Sequence, residues 1–314
     1  MSDFIYVDHS ILSAHRACHE KARLAYREDL RPNKEAPPLD FGKSIHEAIA
    51  CYERTTALAT MSTTEVDSIA EGDKEELGWV ARALREGRSP HDIATIAFVR
   101  TQKNLPLTAD NATGEKRSVE RGLYILDAYL ARQQNKLYTH VMLGAKPMIE
   151  TGFAVPLMQW KNRTVVYCGR IDRVKRSRVD RKLRVIETKT TSKSPKTYVA
   201  QESRPNHQLT GELFALTQMM KEQPFGLILD VIYVSDRKVE GGKFPFGVDK
   251  DNDFLEHETQ RSSTDYDEWL FDTCERATQY LLDVESGKTR WERNAPFACS
   301  AFGGCYYKDI CVSN

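Results

Sequence analysis

Two carboxylates and an ammonium fall close together in this chain. Asp172 ends the run Gly169-Arg170-Ile171-Asp172, and Glu187 and Lys189 stand in Ile186-Glu187-Thr188-Lys189. In an extended strand, alternate side chains share a face, so Glu187 and Lys189 project together while Ile186 and Thr188 point away. If the two segments pair, Asp172 joins them. Carboxylates of this kind hold Mg²⁺ or Mn²⁺, hard cations that prefer oxygen ligands. A neighbouring lysine orients the attacking water, helps to deprotonate it, or offsets charge building on a phosphate. That set suits metal-assisted phosphodiester hydrolysis. The plainer reading is that Asp, Glu and Lys decorate a solvated strand face, so the surrounding elements must decide.

Those elements read as follows. Helical spacing marks Ser10–Tyr26, with Ser10 as N-cap, and Asp40–Glu53, where Phe41, Ile45, Ala48, Ile49 and Tyr52 recur. Residues 56–115 are polar and irregular, with short helical stretches around Val66–Glu86, and a helix follows over 117–133. Strand signals take over at Pro147–Leu157, Arg163–Val174 and Lys182–Thr190, with a hairpin turn over Lys175–Arg181. His207–Lys221 carries an apolar stripe of Leu209, Leu213, Leu216 and Met220. The nearly continuous apolar run Gly226–Val234 reads as a buried strand. Gly241-Gly242 marks a loop, and Tyr266–Ser286 a further helix. Helix, three strands, helix, strand argues for an α/β layered domain with a mixed central sheet.

Composition sets the outer bounds. The chain has 314 residues, 40% of them hydrophobic and 29% charged, with a formal net charge of zero. Length and composition suit a globular protein of one large or two modest domains. No secretory leader and no run of about 18 apolar residues is visible, so a cytoplasmic location is expected. Net charge hints at no polyanionic partner, but its distribution does. Between Arg170 and Lys196 stand eleven Lys/Arg against three Asp/Glu. A local excess of that kind attracts phosphates, unless it only solvates a hairpin tip. Arg170, Arg173 and Lys193 are the candidate DNA contacts. No helicase P-loop is present, so any unwinding must come from a helicase or recombinase partner.

These motifs resemble the PD-(D/E)XK nuclease superfamily, and within it the RecB-like exonuclease branch. The resemblance runs from Ser10 to Cys311 apart from a mainly helical insertion over 56–140, inside a single nuclease domain 1–314. Its Gly-x-x-x-His helix matches Gly42 to His46, its Gly-x-Ile-Asp strand matches Gly169 to Asp172, and its Glu-x-Lys strand matches Glu187 to Lys189. Its glutamine motif matches Gln208, although the tyrosine often found four residues later is Glu212 here. The resemblance implies a restriction-endonuclease-like core. It implies that His46, Asp172 and Glu187 bind metal, with Lys189 acting in catalysis and Gln208 supporting the site. Gly42 would let its helix approach the sheet closely. Family members often carry an acidic residue near Glu150, which a solvated strand end explains equally well.

Seven cysteines, an odd number without an export signal, argue against a disulfide framework. Cys299, Cys305 and Cys311 fall in the last sixteen residues. Several RecB-like nucleases join three such cysteines to one near the N-terminus around a [4Fe–4S] cluster. The resemblance implies that role for Cys18 with Cys299, Cys305 and Cys311, in terminal segments 10–26 and 290–314. Here five residues separate the first C-terminal pair, wider than in many members. Tetrathiolate sites also suit zinc, and free thiols remain a third reading. Cys51, Cys168 and Cys274 read as structural.

The expected activity is a metal-dependent DNA exonuclease, using Mg²⁺ or Mn²⁺ on DNA with free ends, in recombination, repair or DNA processing. The alternatives are a non-catalytic DNA-binding partner of a helicase or recombinase, and a structure-specific or site-specific endonuclease on the same core.

Overall fold

One long strand organises the sheet. In a computed structural model, which describes residues 3–31, 36–73, 75–108, 116–133, 137–234, 248–249, 251–294, 297–300 and 304–313, that strand is β6 (Arg163–Ser177). The chain enters through β1 (Phe4–Asp8), α1 (His9–Ala17) and α2 (His19–Ala22), the last continuing as a π-helical turn. It passes through α3 (Pro37–Leu58), α4 (Thr63–Gly72), α5 (Glu76–Arg85), α6 (Pro90–Thr101) and α7 (Val119–Gln133). Short β2 (Tyr138–His140), β3 (Met142–Leu143) and β4 (Lys146–Pro147) lead to β5 (Ile149–Trp160), β6 and β7 (Leu183–Thr191). Then come α8 (Pro195–Glu202), α9 (His207–Met220), β8 (Gly226–Tyr233), β9 (Phe254–Thr259) and α10 (Ser263–Glu285). Short α11 (Phe297–Ser300) and α12 (Lys308–Ser313) end the chain.

The sheet is mixed, as expected from the sequence, with order β1-β6-β7-β8-β9 and with β2 and β5 also on β6. β1 runs parallel to β6 over Thr164–Cys168, and β7 runs antiparallel to it over Arg173–Arg176. Gly169–Asp172 therefore lies between the end of one pairing and the start of the next. β7 continues beyond β6 as a parallel partner of β8, from Arg184 to Thr191. β1 and β7 thus part company along β6 and leave a cleft between them, the kind of topological break where α/β sheets place sites.

Helices cover both faces. Leu209, Leu213 and Leu216 of α9 pack with Trp269, Ala277 and Leu281 of α10 against one face. Phe41, Ile45, Ala48 and Ile49 of α3 join Ile125, Leu126 and Tyr129 of α7 against Ile232 on the other. Close approach depends on two glycines. A Cβ at Gly211 would stand 2.5 Å from the Tyr167 hydroxyl, and one at Gly42 would stand 3.1 Å from Thr190 Oγ1. The expected closeness of α3 to the sheet is therefore present. Among the described residues, no helix is long and apolar enough to cross a membrane.

Several boundaries differ from the sequence reading. Asp8, not Ser10, caps α1, accepting a hydrogen bond from Ile11 N at 2.7 Å. The helix expected over Ser10–Tyr26 breaks at Cys18, whose backbone is extended. The stretch read as irregular contains α6, started by a Ser89/Asp92 capping box with Pro90 at its first turn. Strands β1 and β9 went unread. The Gly241-Gly242 loop lies outside the described residues.

A buried ionic network locks these layers together. Arg173, 2% exposed, donates through Nη1 to Glu53 of α3 (3.2 Å) and to the Tyr129 hydroxyl of α7 (3.1 Å). Through Nη2 it donates to Thr188 Oγ1 of β7 (2.5 Å) and to Asp230 of β8 (3.0 Å). Lys175 donates to the second oxygen of Glu53, and His140 Nε2 lies 2.8 Å from it. Burial opposes charge on Glu53, but Lys175 and Arg173 outweigh it and hold this carboxyl well below its ordinary range. Glu53→Ala leaves two buried cations facing each other. Removing one partner of a buried pair costs about 3–5 kcal/mol, and urea denaturation is expected to show a loss of that size. A loss under about 1 kcal/mol, within the range of an exposed pair, would mean the network does not hold the layers.

Candidate active site

The largest cavity among the described residues, about 820 Å³, opens where β1 and β7 separate. Asp8, His9 and Ser10 enter it from the β1–α1 junction, Lys43, His46 and Glu47 from α3, and Glu150 from β5. Asp172, Glu187 and Lys189 enter from β6 and β7, and Gln208 and Glu212 from α9. The three motif residues of the opening argument meet as the strand alternation requires. Because Arg173 pairs with Ile186, the next residue pair along the ladder is Asp172 with Glu187.

Short contacts define the centre. The Thr188 backbone N–H donates to Asp172 Oδ2 at 3.0 Å, and His46 Nδ1 lies 3.3 Å from the same oxygen. Lys189 Nζ stands 2.6 Å from Glu187 Oε1. Gln208 Nε2 donates to Glu187 Oε1 at 2.8 Å and to Glu212 Oε1 at 2.9 Å, while its Oε1 accepts from Lys189 at 3.3 Å. Asn206, the N-cap of α9, accepts from Leu209 N and starts that helix beside the site. Glu150 lies between the ladder pairs Ile149↔Arg173 and Thr151↔Ile171, opposite Asp172. Its φ of 51° is the left-handed conformation that non-glycine residues adopt rarely and at a cost, and mostly where function requires it.

Electrostatics follow from burial. Burial lowers the His46 imidazole to about 4, so at neutral pH it is uncharged and free to act as a ligand. Burial, then the charge of Asp172, raises the Glu150 carboxyl to about 7. Burial also raises Asp172 and Glu187, and with both neighbours it carries Glu212 well above its ordinary range. Burial pulls the Lys189 ammonium down, but Glu187 outweighs it and keeps it charged. A charged ammonium suits orientation of water and stabilisation of phosphate charge rather than proton abstraction.

A metal ion fits this donor set. Ligand atoms of His46, Glu150 and Asp172 all lie within 4.8 Å of one another. They offer one neutral nitrogen and two carboxylates, suitable for Mn²⁺ or Mg²⁺. Such an ion supplies Lewis-acid polarisation of a phosphoryl oxygen and lowers the pKa of bound water.

The expected DNA contacts fare unequally. Arg170 is exposed at the cleft mouth and pairs with Glu150 at 2.7 Å. Lys193 is exposed past the end of β7, with Nζ on Gln201 at 2.7 Å. Arg173 is a correction: it is buried in the ionic network on the opposite face from Asp172 and presents nothing to a polyanion. Lys175 and Arg184 are also buried and paired, so much of the local positive excess in the sequence is internal. Glu150 and Glu212 are the residues the sequence reading undervalued. The signal for Glu212 was an acidic residue inside the otherwise apolar Leu209–Leu216 stretch.

The terminal segments meet away from the cleft. Glu20 N donates to Glu292 O, Asn294 Nδ2 to Ala17 O, and Trp291 N to Glu20. Cys305 and Cys311 pack against Leu24, Ala25 and Tyr307. Burial raises the Cys311 thiol, with added contributions from Arg293 and Glu20 and from Cys18 and Cys299, so the thiols interact. Gly304 adopts φ 116°, open to glycine, while Gly303 lies outside the described residues.

A neutral imidazole, clustered carboxylates and a charged lysine, set in a cleft of a mixed sheet, define a metal-dependent nuclease. The chain belongs to the PD-(D/E)XK nuclease superfamily, whose family model matches residues 8–312. No curated protein matches it significantly.

The raised Glu150 carboxyl makes stability depend on pH. Its folded value, about 7, exceeds its ordinary 4.5. The folded state therefore holds the proton more tightly, and stability from this group falls as pH rises through that window. In EDTA, wild-type protein is expected to lose stability relative to Glu150→Gln between pH 4.5 and 7 and to level off above. Denaturation curves that stay parallel across this range would place Glu150 in ordinary solvent.

Proposed function

We propose that this nuclease is a DNA exonuclease that hydrolyses phosphodiester bonds at free ends, in recombination, repair or DNA processing. The observation that carries the reading is the convergence of His46, Glu150, Asp172, Glu187, Lys189 and Gln208 on one cleft. His46, Asp172 and Glu187 would hold Mg²⁺ or Mn²⁺, with Glu150 beside them. Lys189 orients the attacking water and faces the charge that develops on the phosphate. Gln208, through its hydrogen bonds to Glu187 and Lys189, keeps both side chains in register. Arg170 and Lys193 would contact the DNA backbone, which carries little sequence information, so weak sequence preference is expected.

Cys18, Cys299, Cys305 and Cys311 form an all-thiol donor set at the meeting of the two terminal segments. They would hold a [4Fe–4S] cluster, with zinc the competing occupant. This pattern supports the RecB-like branch and with it end-dependent cleavage, with a helicase or recombinase as partner. The chain then acts as a single nuclease domain whose 56–140 region borders substrate access.

The test uses end-labelled linear single strands, linear duplex and closed circles, with anaerobically purified protein and Mn²⁺, Mg²⁺ or EDTA. Metal-dependent loss of linear DNA with circles spared is expected. Asp172→Ala, Glu187→Ala and Lys189→Ala are each expected to lower the rate at least about 10²-fold without unfolding the protein. Cleavage of circles would make it an endonuclease. Intact, metal-loaded protein that cuts nothing would favour a DNA-binding module.

A further inference from the structure

Glu212 asks for an explanation that the motif residues do not give. It stands on α9 one turn after Gln208, is 2% exposed, and lines the same cleft as Glu187, which is 1% exposed. A carboxylate buried this deeply is costly unless it is paired or ligates a cation. Here it is not fully paired. Glu212 Oε1 accepts from Gln208, but Glu212 Oε2 is buried with no hydrogen-bond partner, and so is Glu187 Oε2. Two orphan carboxylate oxygens on adjacent side chains are an anomaly, since buried polar atoms in folded proteins are rarely left unsatisfied.

Charge points the same way. Six carboxylates line the cleft, from Asp8, Glu47, Glu150, Asp172, Glu187 and Glu212, against the cations of Lys43, Arg170 and Lys189. One divalent cation at His46, Glu150 and Asp172 does not offset this excess, and a scissile phosphate would add to it.

We propose that Glu187, Glu212 and Gln208 form a second divalent-cation position, distinct from the one at His46, Glu150 and Asp172. This rests on the nuclease reading and deepens it. Without a cation, Gln208 must turn its NH₂ toward the two carboxylates, as it does here. A half-turn of the amide exchanges NH₂ for Oε1, an exchange that is nearly isosteric. Glu187, Glu212 and Gln208 then offer three oxygens, the hard donors that Mg²⁺ and Mn²⁺ prefer. The turn also releases the Gln208 contact to Lys189, leaving that ammonium to its Glu187 pair and to the cleft. Glu212 thereby replaces a hydroxyl-bearing family residue with a charged ligand, and its departure from the motif gains a purpose.

The experiment counts Mn²⁺ bound per full-length chain, by paramagnetic resonance of free Mn²⁺ and by calorimetry, in wild type and in Glu212→Gln, Glu212→Met and Glu150→Gln. Mn²⁺ favours oxygen over thiolate donors, so the terminal cysteines do not confuse the count. Wild type is expected to bind two ions, with one lost in each Glu212 variant and the ion at Glu150 weakened independently. Glu212→Met removes an orphaned carboxyl from a buried position, so its metal-free thermal midpoint is expected to match or exceed wild type, which confirms folding. Two ions retained in folded Glu212→Met overturns the proposal. One ion in wild type, sensitive to Glu150→Gln, overturns it while the nuclease reading stands. No Mn²⁺ bound at all removes both.

Discussion

The guanidinium of Arg173 is the contact on which the rest depends. It sits in β6 next to Asp172 and bonds to α3, α7, β7 and β8 at once. Two of its partners, Glu53 and Asp230, are carboxylates; Lys175 completes a set of two buried cations and two buried anions. Arginine suits this place because its planar fork donates in several fixed directions and does not lose its charge. The bond to Thr188 matters most for function. Thr188 Oγ1 takes the guanidinium on one face, while its backbone N–H grips Asp172. One residue of β7 thus ties the structural network to the catalytic carboxylate, and Glu187 and Lys189 flank it on the opposite face. The two sides of β7 are a balanced ionic lock and an unbalanced acidic cleft.

The imbalance is a property of the metal-free state. Asp172, Glu187, Glu150 and Glu212 are all held above their ordinary carboxyl range, chiefly by burial. Folding therefore assembles a site that retains protons until a cation replaces them. Proton release on metal binding follows from the ligand requirement for ionised carboxylates. The fold tolerates this because the neighbouring lock and the apolar layers stabilise it from both sides of the sheet.

How much of this was legible depended on whether a signal was local. The strands β5 to β8 and the helix α9 announce themselves through β-branched runs and an apolar stripe. The central site then follows from alternation and pairing alone. β1 did not announce itself. FIYVD is five residues long, and its meaning lies in parallel pairing with Thr164–Cys168, far away in sequence. β9 is similarly short and lies on the sheet edge against β8. The basic stretch misled for a different reason, because counting charges ignored facing. The same alternation that joins Glu187 to Lys189 puts Arg173 on the opposite face from Asp172. Glu212 was legible as a departure from a pattern, but only the orphaned oxygens give that departure chemical content.

The parting of β1 and β7 along β6 connects the two ends of the molecule to the cleft. β1 stops at Asp8, and α1 begins at once with His9 inside the cavity. Nine residues beyond His9 the helix breaks at Cys18, where the C-terminal segment crosses. His15 and His19, flanking that break, both reach Asp283 of α10, at 2.8 and 2.6 Å. The orientation of α1 is thus fixed at one end by the sheet and at the other by the terminal segments and α10. Anything that draws Cys18 toward Cys299, Cys305 and Cys311 acts on the same short helix whose first residues line the active site. The terminal thiols sit apart from the chemistry, yet the shortest covalent path from them to the cleft is one nine-residue helix.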